Sequence, residues 1–149
     1  MNYRVPLFTM LLLCFNSFFV LGKDSIRAYY DLVNKAELEI TERNYSTAIA
    51  HYKSAFELNR PFDTDIFNAL QCCLKNKNRS LAMKYCFILA DRGIGHKFFE
   101  QDGYELIRSN TSWEELKKVA KVKREYFEKT TVELRDKLDD LVTTDQEHA

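Results

Sequence analysis

The sequence predicts an all-α fold: two antiparallel helical hairpins, then short helices, then a long C-terminal helix. Three observations predict it. Apolar residues recur at steps of three and four through most of the chain. The segment Asn44-Tyr45-Ser46-Thr47-Ala48, followed by Tyr52, Ala55 and Leu58, returns 34 residues later as Asn78-Arg79-Ser80-Leu81-Ala82, followed by Cys86 and Leu89. A period of that length marks paired helices that stack on one another. Finally, 149 residues contain only four glycines and two prolines, so helices are interrupted at few places.

The N-terminus has a separate purpose. Arg4 is followed by an uncharged, mostly apolar run from Val5 to Leu21, and Val20-Leu21-Gly22 offers modest side chains before Lys23. This is the layout of a secretory signal peptide, residues 1–22. The run is short for a membrane anchor, and Pro6 stands near its start. Leu13 is too bulky to precede a lipid-bearing Cys14, and the apolar run continues past that cysteine. Export places the chain in the periplasm or outside the cell, with no membrane attachment after cleavage. The whole chain balances 22 basic against 22 acidic residues. Removing Arg4 with the leader leaves one more acid than base. Nucleic acid and anionic membrane surfaces are therefore not expected partners, since both select clustered positive charge.

Residues 23–95 read as the two hairpins. Ile26, Tyr29, Val33, Ala36 and Ile40 form one helical stripe, interrupted at Arg43-Asn44. Tyr45, Ala48, Ile49, Tyr52, Ala55 and Phe56 form the next, closed by Pro61. Ile66, Phe67, Leu70, Cys73 and Leu74 begin a third helix, and Lys75-Asn76-Lys77-Asn78 is a polar turn. Ala82, Tyr85, Cys86 and Leu89 make the fourth, with Gly93 placed as its cap. Short connections make each pair antiparallel neighbours.

Residues 96–129 read as capping helices. Phe98, Phe99, Tyr104, Leu106 and Ile107 crowd around Gly103, and Ser112 with Glu115 has capping-box spacing at the start of a long helix. Trp113, Leu116, Val119 and Ala120 can bury against the second hairpin. The β-branched run in Lys129-Thr130-Thr131-Val132 predicts a bend or break. Residues 130–149 then form a C-terminal helix striped with Leu134, Leu138 and Leu141, and a frayed polar tail from Thr143. That stripe needs something to cover it: the chain's own hairpins, another domain, or self-association through Leu134, Leu138 and Leu141.

Through Ala36, Tyr45, Ala48, Tyr52 and Ala55, and again through Leu70, Ala82, Cys86 and Leu89, the region from Ser25 to Ile94 resembles the tetratricopeptide repeat family. The resemblance implies a binding scaffold of tetratricopeptide-like hairpins. The ordering as a whole resembles a family of secreted bacterial proteins of unknown function that join such a segment to a separate C-terminal domain. Tyr29-Tyr30 through Ala36, Ala90 to Gly93, Phe98-Phe99, Trp113, and Leu134-Arg135 to Leu141 with Asp145-Gln146 carry that likeness. It implies a member that stops near the start of the second domain.

Catalytic and cofactor chemistry finds no foothold in the sequence. His51, His96 and His148 lack the pairing of a metal helix and the cysteine spacing of a zinc site. Gly93-Ile94-Gly95 lacks the third glycine and preceding strand of a phosphate loop. No catalytic residue, cofactor or metal is expected. Asn44, Asn78 and Asn110 fit a glycosylation pattern, but each stands where a helix start wants a cap. Cys72, Cys73 and Cys86 would meet an oxidising compartment. Placing the turn near Asn76-Lys77 sets Cys73 and Cys86 about 9 Å apart along the axis on helices about 9 Å apart, too far for a disulfide.

The expectation from sequence is a non-catalytic protein- or peptide-binding helical-repeat module of the bacterial cell envelope. Its candidate contacts are Tyr30, Asn34, Asn68 and Gln71, which lie off the core stripes on the first helix of each hairpin. The alternative is the N-terminal arm of an envelope enzyme whose catalytic domain is missing from this chain. Reading the nucleotides after the stop codon separates the two.

Overall fold

The structure, a computed structural model, describes the backbone of residues 7–147 and the side chains of residues 24–140. It is built from α1 (Leu7–Thr41), α2 (Tyr45–Leu58), α3 (Asp63–Lys75), α4 (Arg79–Asp91), a 3₁₀ turn (His96–Glu100), α5 (Glu105–Arg108) and α6 (Trp113–Glu147). No strand occurs among the described residues. The all-α expectation of helical hairpins and a long C-terminal helix holds. The expected signal peptide, residues 1–22, lies outside the described side chains. Among the described residues no helix is long and apolar enough to cross a membrane. The chain divides into two compact units, residues 1–65 and 66–149.

In the first unit, α1 and α2 form a hairpin. Tyr29, Val33 and Ala36 of α1 are buried with Ala48, Ile49, Tyr52 and Ala55 of α2. Three of these seven are alanines, which let two helix backbones approach closely. The chain reverses through Arg43, whose backbone is left-handed (φ 62°). The Asn44 N–H donates to Glu39 O at 2.8 Å and the Arg43 N–H to Ile40 O at 3.0 Å, the paired bonds that close a helix end.

The turn between α3 and α4 repeats this arrangement 34 residues later. Lys77 is left-handed (φ 55°), the Asn78 N–H donates to Cys73 O at 2.9 Å, and the Lys77 N–H donates to Leu74 O at 3.2 Å. The sequence period is therefore also a period in backbone geometry. The end of α4 uses the same bonds, Ile94 N–H to Leu89 O and Gly93 N–H to Ala90 O, with glycine in the left-handed position (φ 91°). Glycine is needed at this third reversal for a second reason. A Cβ on Gly93 would lie 2.6 Å from Cδ2 of Phe127.

In the second unit, Ile66, Ala69, Leu70, Cys72 and Cys73 of α3 are buried, as are Ala82, Met83, Tyr85, Cys86, Leu89 and Ala90 of α4. Helix α6 packs along α4. Leu116 and Ala120 are fully buried, and Lys123 pairs with Asp91 at 2.5 Å. That ammonium holds the Asp91 carboxyl below its ordinary range.

Two expectations need correction here. First, α6 runs unbroken through Lys129-Thr130-Thr131-Val132, so the boundary at residue 130 falls inside one helix, and helical backbone extends to Glu147. The threonines fit because each hydroxyl donates to a carbonyl four residues back: Thr130 to Tyr126 at 2.9 Å and Thr131 to Phe127 at 2.8 Å. Lys129 and Glu133, one turn apart, add an ion pair. Second, the start of α6 is set by Asn110, whose side-chain oxygen accepts from the Ser112 N–H at 2.9 Å, in place of a Ser112–Glu115 box. The expectation that Cys73 and Cys86 form no bridge agrees with the structure, in which Cys72, Cys73 and Cys86 are free buried thiols.

Candidate functional site

The most developed surface in the first unit rests on Tyr29. This side chain is 1% exposed and its hydroxyl donates to the carboxylate of Asp65, itself only 8% exposed. The same hydroxyl accepts from the Phe62 N–H at 3.3 Å. Burial, then the bond to Asp65, push the Tyr29 phenol well above its ordinary range. One buried hydroxyl thereby ties α1 to the Asn59–Phe62 connection and to the first turn of α3, where Asp65 also meets the positive end of the helix dipole.

The consequence appears at the surface. With its backbone held at Tyr29, Phe62 sets its ring edge-on to Tyr29 (6.0 Å between centroids) and stacks on Tyr30 at 6.2 Å with 21° between planes. Tyr30 is 47% exposed and Phe62 54%. Ile26, one turn before Tyr30, is likewise exposed. Asn34, one turn after it, is exposed too. The result is an apolar platform with an amide at one end, standing on a buried Tyr–Asp pair.

The four sequence-predicted contacts divide between the units. Tyr30 and Asn34 lie together on α1 as described. Asn68 is half-buried on α3. Gln71 is engaged internally: its side-chain amide donates to the Tyr104 hydroxyl at 2.8 Å. Tyr104 joins Phe98 and Phe99 in an edge-to-face cluster that also takes in Phe67. Burial raises the Tyr104 phenol to about 12. Sequence reasoning missed Phe62, reading Pro61 only as a helix stop. The available signal was an aromatic residue placed in a short polar connection.

The second unit holds an open groove of about 490 Å³ between the Gly95–Phe98 segment and α6, lined by His96, Lys97, Lys121, Arg124, Glu125 and Glu128 among others. Arg124 pairs with Glu128 at 2.6 Å and Lys121 approaches Glu125 at 4.0 Å. Among the described residues no three metal-ligating side chains gather in one place. No protein-family model matches this chain, and neither a curated protein nor a solved structure matches it.

Proposed function

We propose that the chain is a non-catalytic binding module of the bacterial cell envelope, taking an extended peptide or a segment of a partner protein on the Tyr30–Phe62 platform. The observation that carries this reading is the platform itself. Two large rings stand about half exposed, stacked and held from beneath by a buried polar bond. Rigid aromatic side chains provide contact area at low entropic cost. Asn34 supplies both a donor and an acceptor for a peptide backbone at one edge. The envelope address rests on the leader pattern of residues 1–22. Affinity from so small a surface is modest.

The test is a display library of extended peptides selected against the full-length chain. Selected peptides should bind in the micromolar range. Tyr30→Ala and Phe62→Ala should each weaken them about tenfold, and Asn34→Ala by less. Selected peptides whose binding ignores both aromatic substitutions would place the ligand elsewhere and end this reading.

A further inference from the structure

The face of α6 that buries Leu116 and Ala120 against α4 does not stop where α4 stops. It continues as Phe127, Thr131, Leu134 and Leu138, at alternating steps of four and three, with Leu141 next in the sequence. Past Phe127 this stripe is bare. Leu134 is 56% exposed and Leu138 60%. Helix α6 is continuous over this stretch, so about 17 Å of helix from Phe127 to Leu138 carries an uncovered seam among the described residues.

The charges flanking the seam say what fits it. Residues 121–132 hold four cations (Lys121, Lys123, Arg124, Lys129) and two carboxylates (Glu125, Glu128). Residues 133–144 hold the reverse: two cations (Arg135, Lys137) and four carboxylates (Glu133, Asp136, Asp139, Asp140). A copy of the same segment laid antiparallel matches each half with its opposite. A parallel copy sets like on like.

We infer that the distal half of α6 pairs antiparallel with the same segment of a second copy of this chain, about a two-fold axis near Val132-Glu133. In this register Phe127 meets Leu138 of the second copy and Thr131 meets Leu134 of the second copy, while Glu128 flanks Arg135 of the second copy. Small Thr131 facing large Leu134 keeps the central layers evenly filled. A shallow hollow of about 290 Å³, lined by Arg124, Phe127, Glu128, Thr131 and Val132, lies where Leu138 of the second copy arrives. Beyond it, the groove bearing His96, Lys97 and Lys121 lies where that copy's Asp139 and Asp140 follow.

Sedimentation velocity on the full-length chain in mild non-ionic detergent tests this. A dimer should form with rising concentration. Leu138→Asp should weaken it at least tenfold without lowering the melting temperature. Glu128→Lys and Arg135→Glu should each weaken the dimer alone, and an equimolar mixture of those two variants should recover it, because lysine then faces glutamate and arginine faces glutamate. A chain that stays monomeric, or a dimer that survives Leu138→Asp, overturns the inference. So does a melting temperature lowered by Leu138→Asp, which would put the seam on the chain's own hairpins. A mixture no tighter than its components overturns the antiparallel register.

Discussion

The α1–α2 and α3–α4 hairpins reverse the chain through the same pair of backbone hydrogen bonds, each with a cationic residue in the left-handed position, 34 residues apart. They are filled differently. Each buries three alanines, but the first adds Tyr29 and Tyr52 and holds its entry to α3 with the Tyr29–Asp65 bond. The second adds three thiols, Cys72, Cys73 and Cys86, together with Tyr85, Leu70 and Leu89. A repeat thus constrains the corner more tightly than the chemistry of the filling. What the corner leaves free is what differs at the surface: an aromatic platform in the first unit, a charged groove in the second.

Alkali should separate the hairpins most strongly. Burial raises Cys72 to about 11 and Cys73 and Cys86 to about 12. Folding therefore favours the neutral thiols. That stability is fully present below about pH 8.5, where an unfolded thiol starts to ionise, and is lost as pH rises toward the folded values. The Tyr29 phenol is also raised, but its unfolded counterpart ionises only near pH 10. Limited proteolysis stepped from pH 8 to pH 11, with cuts mapped by mass spectrometry, should open α3 and α4 first, and α1 and α2 more than one pH unit later. Simultaneous opening would mean that the thiols do not set the difference.

The first hairpin should break most readily at its buried bond. Tyr29→Phe leaves the Asp65 carboxylate buried without its phenol donor, at a cost of about 1–3 kcal/mol in urea unfolding. The double variant Tyr29→Phe/Asp65→Leu removes both polar partners and should recover a large part of that loss. A double variant as unstable as the single one would show that the bond is not what holds this corner.

Much of this was legible in the sequence. The four hairpin helices, the reversals at Arg43-Asn44 and Lys77-Asn78 and the burial of Leu116 and Ala120 follow from period and spacing. The continuity of α6 did not, because propensity counts Thr130 and Thr131 as weak helix residues. It is blind to their hydroxyls donating to Tyr126 and Phe127. Tyr30 and Asn34 were found because they lie off a core stripe. The same reasoning picked Gln71, whose partner Tyr104 is 33 residues away and invisible to local pattern. Phe62 was missed for a related reason: its place beside Tyr30 depends on a hydrogen bond to Tyr29, 33 residues earlier.

The smallest difference between the hairpins lies in two equivalent asparagines, and it isolates the side chain from the backbone. Asn44 and Asn78 share φ −82° and occupy the same position before their helices. The Asn78 side-chain oxygen accepts from the Leu81 N–H at 3.2 Å and so satisfies one of the free donors at the start of α4. Asn44 makes no such bond, and its amide turns back to the Glu42 carboxylate at 3.2 Å on the exposed surface. Alanine keeps the backbone corner in both cases and removes only these side-chain contacts. Asn78→Ala should therefore cost about 1 kcal/mol in urea unfolding, the usual worth of a helix cap, and Asn44→Ala only a few tenths, as for an exposed polar contact. Equal costs at the two positions would mean that asparagine is required for the corner itself, and that the 34-residue period extends to the side chain.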